Sequence, residues 1–169
     1  EGLVETLPNR SAMVSNIDIL NLQAFFDAIT LMYRVTTRLA GQYHRPADLV
    51  VIRAHQAHYA AAVAAQDALA MMACNRDLHA AIAEAGRNPY YTHLTLRLLD
   101  EGRRILRLYY QSFDDHLPRE YVDEHEAIIA AIAARDIDLC DRIARAHADQ
   151  IVRQIQQLFA RDERHDLPL

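Results

Sequence analysis

Tryptophan is absent from this chain of 169 residues, and glycine (four), proline (five) and cysteine (two) are scarce. So little glycine and proline leaves few places for sharp turns, while alanine, leucine and isoleucine are abundant, which is a helical composition. Cys74 and Cys140 lie far apart and form no CxxC pair. They read as reduced core thiols of a cytoplasmic protein, with a single disulfide between them as the alternative. No apolar run approaches the ~18 residues of a membrane span, and no signal peptide is recognisable. An excess of positive charge is missing too: the formal net charge is −5, with both signs interspersed, so the chain has no bulk attraction for nucleic acid.

Several catalytic patterns are also missing. The sequence contains no HExxH, no Glu-x-x-His, no glycine-rich phosphate loop and no GxSxG elbow. These gaps speak against a zinc protease, a di-iron bundle, a phosphate-loop enzyme and an α/β-hydrolase respectively. No catalytic residue is assigned, and the chain is expected not to be an enzyme.

What is present is a run of amphipathic segments. The spacing predicts helices over about 18–43, 47–65, 67–85, 89–113, 118–134 and 136–161. Asn16 or Asp18 is a candidate first cap; Gly86 stops the third helix, Asn88-Pro89 opens the fourth, Pro118 the fifth, and Asp136 caps the sixth. Short links between long helices favour an all-α antiparallel bundle of about six helices. Residues 1–15 differ: Gly2-Leu3-Val4 and Met13-Val14 flank Leu7-Pro8-Asn9-Arg10, a pattern for two short strands about a turn. The tail from Asp162 reads as frayed.

Three histidines fall on apolar helical faces. His147 lies in the stripe Cys140, Ile143, Ala144, Ile151, Ile155, Leu158; His125 shares a face with Tyr121, Ile128, Ile129 and Ile132; His79 shares one with Leu78, Ile82 and Gly86. Asn75, four residues before His79, projects from the same side of its helix. Neutral imidazoles and an oxygen donor arriving from separate helices make a site for Zn²⁺, Ni²⁺, Fe²⁺, Mn²⁺ or Co²⁺. The competing reading makes each histidine a hydrogen-bonded core residue. His55 and His58 form a weaker pair, half exposed on the second helix, and His44, His93, His116 and His165 read as loop or surface residues. The Asp114-Asp115 pair reads as solvated loop charge.

The block Asn75-Arg76-Asp77-Leu78-His79-Ala80-Ala81-Ile82-Ala83-Glu84-Ala85-Gly86-Arg87-Asn88-Pro89 resembles the signature of the FCD ligand-binding domain. That domain forms the C-terminal half of FadR-type transcription regulators of the GntR family. Glu124-His125-Glu126-Ala127-Ile128, followed by residues 130–136, is similar to its second signature, and His147 falls where the family places its last histidine. The resemblance covers about residues 18–158. Residues 1–15 resemble the wing hairpin that closes a GntR winged helix-turn-helix, whose recognition helix would lie upstream.

The resemblance implies three domain segments: a wing remnant over 1–15, an effector-binding and dimerising unit over 16–161, and a tail over 162–169. It implies a ligand-sensing homodimer that reaches operator DNA through the winged helix. The family's metal site is usually one Asp and three His. Here Asn75 takes the Asp position, and its neutral carbonyl makes a weaker ligand; Asp77 points to another face. By resemblance the effector is a small organic acid whose carboxylate completes the metal shell, with an arginine at its far end. Tyr33, Arg34, Thr37 and Arg104 are the effector-contact candidates, with Thr30, Arg103 and Arg107 beside them. The Arg and Glu often found in the family's first helix are missing from Ile29-Thr30-Leu31-Met32-Tyr33. Two other readings remain: a metal-dependent enzyme using an open position of a three-histidine site, and a dimerisation domain whose metal site has decayed.

Overall fold

A computed structural model describes residues 4–6, 12–14, 21–114 and 116–162. Two short strands, β1 (Val4–Thr6) and β2 (Ala12–Val14), pair antiparallel with Val4 opposite Val14. Among the described residues seven helices follow: α1 (Leu22–Tyr43), α2 (Pro46–Ala65), α3 (Ala68–Ala85), α4 (Pro89–Glu101), α5 (Arg103–Gln111), α6 (Glu120–Ala134) and α7 (Ile137–Asp162). The expected all-α bundle is present. The turn at 7–11, the candidate caps Asn16 and Asp18, Asp115, the Leu158 side chain, His165 and the tail beyond Asp162 lie outside the described residues.

Local chemistry sets most boundaries. Asp67 accepts a hydrogen bond from the Ala70 amide, Asn88 from the amides of Tyr90 and Tyr91, and Asp136 from the Leu139 amide. Each satisfies donors that a helix start leaves unpaired. Gly86 ends α3 where a Cβ would stand 2.9 Å from Leu39 Cβ, so the absence of a side chain lets α1 pack close.

One boundary departs from the pattern. The helix expected over 89–113 divides at Gly102, which keeps right-handed helical angles (φ −73°, ψ −10°) and donates to Leu98 O. A Cβ at Gly102 would lie 2.8 Å from Phe25 Cζ. Glycine there leaves room for a ring supplied by α1, a neighbour no local pattern contains.

α1 is the organising helix and packs against α3, α4, α6 and α7. Its buried residues Leu22, Phe26, Ile29, Tyr33, Thr37 and Ala40 recur at three- and four-residue steps. The core has three apolar parts. One gathers Tyr59, Tyr109, Tyr110, Tyr121 and Ile155; a second gathers Ile52, Leu78, Ile82, Ile128 and Ile132; a smaller third holds Ile29, Tyr33, Leu99, Ala144 and Ala148. Among the described residues no helix is long and apolar enough to cross a membrane.

The link between α6 and α7 also fastens α1. Arg135 adopts a left-handed conformation (φ 56°), and its guanidinium donates to the carbonyl oxygens of Gly41, Gln42 and His44. These are carbonyls that the end of α1 leaves unpaired. His44, expected at the surface, is buried, with Nδ1 2.8 Å from Ala40 O. Arg135→Ala is expected to lower unfolding stability by about 1–3 kcal/mol, the range for charge-assisted hydrogen bonds. A urea titration of both proteins checks it.

Candidate metal centre and adjoining cavity

His79 on α3, His125 on α6 and His147 on α7 meet inside the bundle. One ring nitrogen from each lies within 4.8 Å of the others. The ring centres stand 5.2 Å (His79–His125), 5.4 Å (His79–His147) and 4.9 Å (His125–His147) apart. An ion about 2.1 Å from each nitrogen would lie roughly 3 Å from each ring centre, which calls for rings about 4.5–5.5 Å apart. The rings already have that separation.

All three are buried, with exposures of 4%, 1% and 4%. Burial, and then the neighbouring His147, hold the His79 imidazole well below its ordinary pKa; burial, then His147 and His79, do the same for His125. Both rings are thus neutral near pH 7, the form that ligates metal.

Hydrogen bonding bears on the two readings of these histidines. Nε2 of His79, both ring nitrogens of His125 and Nε2 of His147 are buried with no hydrogen-bond partner among the described residues. A hydrogen-bonded core histidine has its nitrogens met by donors or acceptors. Here lone pairs from three helices face one another in an apolar setting, and the donor set fits a borderline divalent cation.

Two features around the rings were not legible in the sequence. Glu124 Oε2 lies 2.9 Å from His147 Nδ1. The carboxylate accepts from Nδ1–H, which fixes that tautomer and leaves Nε2 with its lone pair. Glu124 is adjacent to His125 in sequence, yet its partner sits on another helix, so no spacing joins them. The second feature is an aromatic wall. Tyr33 stacks on His79 with ring centres 4.3 Å apart, and Tyr59 lies 4.7 Å from His125. Burial raises the Tyr33 phenol and pushes Tyr59 up to about 12, so both remain hydroxyl donors.

Replacing Glu124 with Ala is expected to weaken metal binding by about 10- to 100-fold, the usual cost of losing an outer partner of a ligating histidine. Glu124→Gln, which can still accept from Nδ1–H, should lose less. Competition against a chromophoric chelator measures both.

The remaining expected site residues are dispersed. Asn75 is buried, one helical turn from His79, and with Tyr33 lines a narrow cavity of about 60 Å³ between α1, α3, α4, α5 and α7. Asp77 is on the outer side, 3.6 Å from Arg76. Arg34 pairs with Asp141 through two hydrogen bonds of 3.1 and 2.9 Å and faces a separate polar groove. Thr37 is buried one turn beyond Tyr33 and does not line the cavity; neither does Arg104, whereas Arg103 does. His55 is half-buried and His58, His93 and His116 are exposed. Cys74 and Cys140 are free thiols, and burial pushes Cys140 up to about 11.

Comparison with known proteins gives this geometry a family. The FCD domain model matches residues 25–150. No curated protein matches the sequence. Among solved structures, E. coli McbR/YncC is similar with a TM-score of 0.84 and 17% identity, over 93% of this chain and 74% of that one. A transcriptional regulator of the GntR family from Pseudomonas syringae pv. tomato str. DC3000 gives 0.70 and 15%, over 98% and 68%. Lar, described as controlling the agr system of Listeria monocytogenes, gives 0.72 and 13%, over 93% and 74%. The structural likenesses establish a shared fold, and the family match covers most of the chain: it belongs to the FCD domain family.

Proposed function

We propose that this chain is the ligand-sensing and dimerising part of a GntR-type transcription regulator that uses a divalent metal to read a small organic acid. The observation that carries the metal is the set of unpartnered, buried imidazole nitrogens on three helices. His79, His125 and His147 would hold the ion, with Asn75 as a weaker oxygen ligand. The ion supplies a Lewis-acidic position where an effector carboxylate can complete the shell. Tyr33, a protonated phenol between His79 and the cavity, would orient that carboxylate.

The regulatory step is a population shift. The three ligating helices all pack, directly or through α1, into one bundle, so closing a metal–carboxylate shell favours one arrangement of them. An effector that binds one arrangement better than another shifts the dimer toward it. In a two-fold dimer this changes the separation of the DNA-reading heads. β1 and β2 would be the last part of such a head, with residues 1–15 as its wing, 16–161 as the sensor and 162–169 as a tail. The match to the FCD family and the fold shared with a GntR-family member support this reading.

A screen of small carboxylates by thermal unfolding, on zinc-loaded and EDTA-stripped protein, tests the proposal. Acid at 100-fold over its Kd should stabilise the loaded form by about 2.7 kcal/mol, or roughly 5–10 °C for a domain of this size. Equal shifts in both forms, or none in either, would remove the metal from the sensing step.

A further inference from the structure

We infer that the acid sensed here is a monocarboxylate with a short aliphatic tail, not a dicarboxylate or a polyhydroxy acid. This rests on the proposed function, and it adds what lies at the far end of the ligand. The cavity that begins at Tyr33 and Asn75 runs into hydrocarbon: Phe25, Ile29, Leu99, Ile105 and Ile151 are among its walls. Its polar lining is confined to two places. Tyr33, whose ring stacks on His79, and Asn75, one turn before His79, form its buried polar wall, no imidazole lines it, and Arg76 and Arg103 are its only charged residues among the described ones.

The charges do not favour a second acid group. Arg76 is held by Asp100 through Nε at 2.6 Å and a second nitrogen at 3.2 Å, so its charge is already met. Arg34, the cation nearest Tyr33 in sequence, is held by Asp141 away from the cavity. Arg103 is exposed. A carboxylate or hydroxyl placed among the apolar walls would lose its water without gaining a partner. A methyl or methylene placed there gains what its removal from water supplies.

Size limits the tail. A cavity of about 150 Å³ with similar walls admits the six carbons of benzene, so about 60 Å³ suits a tail of roughly two or three carbons and excludes a ring unless the walls move. The carboxylate would sit at the Tyr33–Asn75 wall, and the tail would point toward α4 and α5.

The test is calorimetric titration of the zinc-loaded chain with acetate, propionate, butyrate, valerate and hexanoate, and with succinate and adipate for comparison. Affinity should rise about fourfold with each methylene and then level off. Each diacid should bind at least tenfold more weakly than the monoacid of equal length. Ile105→Phe, which fills the cavity at its α5 wall, should retain zinc and move the plateau to a shorter acid. Binding that ignores chain length overturns the tail assignment but leaves metal-dependent acid sensing in place. A preference for diacids that Arg103→Ala abolishes also overturns it, by putting the far end at Arg103. If zinc binds and no carboxylate does, both this inference and the sensing role fall.

Discussion

His125→Leu is expected to make the metal-free protein more stable, by about 1–3 kcal/mol, while it abolishes tight metal binding. Both ring nitrogens of His125 are buried without a hydrogen-bond partner, and Ile128, Ile129 and Tyr59 belong to the core beside it. A polar group in that state carries its full desolvation cost. Leucine has similar bulk and no polar atom, so the substitution removes the cost and opens little space. With metal present the order should reverse, because only the parent gains the linked binding energy, which grows with the logarithm of metal concentration over Kd. Denaturant titrations with EDTA and with excess Zn²⁺ read both signs. A loss of stability in EDTA would mean that His125 serves the core as a hydrogen-bonded residue.

The second large effect is acid lability. Burial, with the neighbouring imidazoles, lowers the folded-state pKa of His79 and His125 well below the ordinary 6.5. In the unfolded chain both take up protons as pH falls through about 6.5. Below that value the unfolded state holds more protons than the folded one, so stability falls as pH falls. The slope approaches about 1.4 kcal/mol per pH unit for each histidine, until the folded-state pKa is reached. Above about pH 7 neither group contributes a slope. Bound metal should move the loss to lower pH, since ligands held by an ion resist protonation. Urea midpoints measured from pH 8 to pH 5 in EDTA would show the fall. A flat profile across this range would mean that the two histidines titrate as they do in solvent.

The elements that sequence made legible are those whose causes are local. Asn88 and Asp136 cap helices through side-chain bonds to amides two or three residues ahead, and such short-range chemistry is visible in a single stretch of chain. The apolar stripes carrying His79, His125 and His147 are equally local, since helical periodicity puts each on a buried face. Features that need a partner from another helix were hidden. Gly102 faces the Phe25 ring of α1, the end of α1 is fastened by Arg135, and His147 is oriented by Glu124. The arginines show the same limit. The family resemblance brought Arg34 into consideration as an anion contact, but Asp141, on α7, claims its guanidinium.

The most direct measurement is the metal content of the untagged chain purified without chelators, beside a His125→Ala/His147→Ala variant. A single closed ligand set would hold roughly one divalent ion per chain in the parent and none in the variant. An absence of metal in both, persisting after Zn²⁺, Ni²⁺ and Mn²⁺ are supplied, would contradict it.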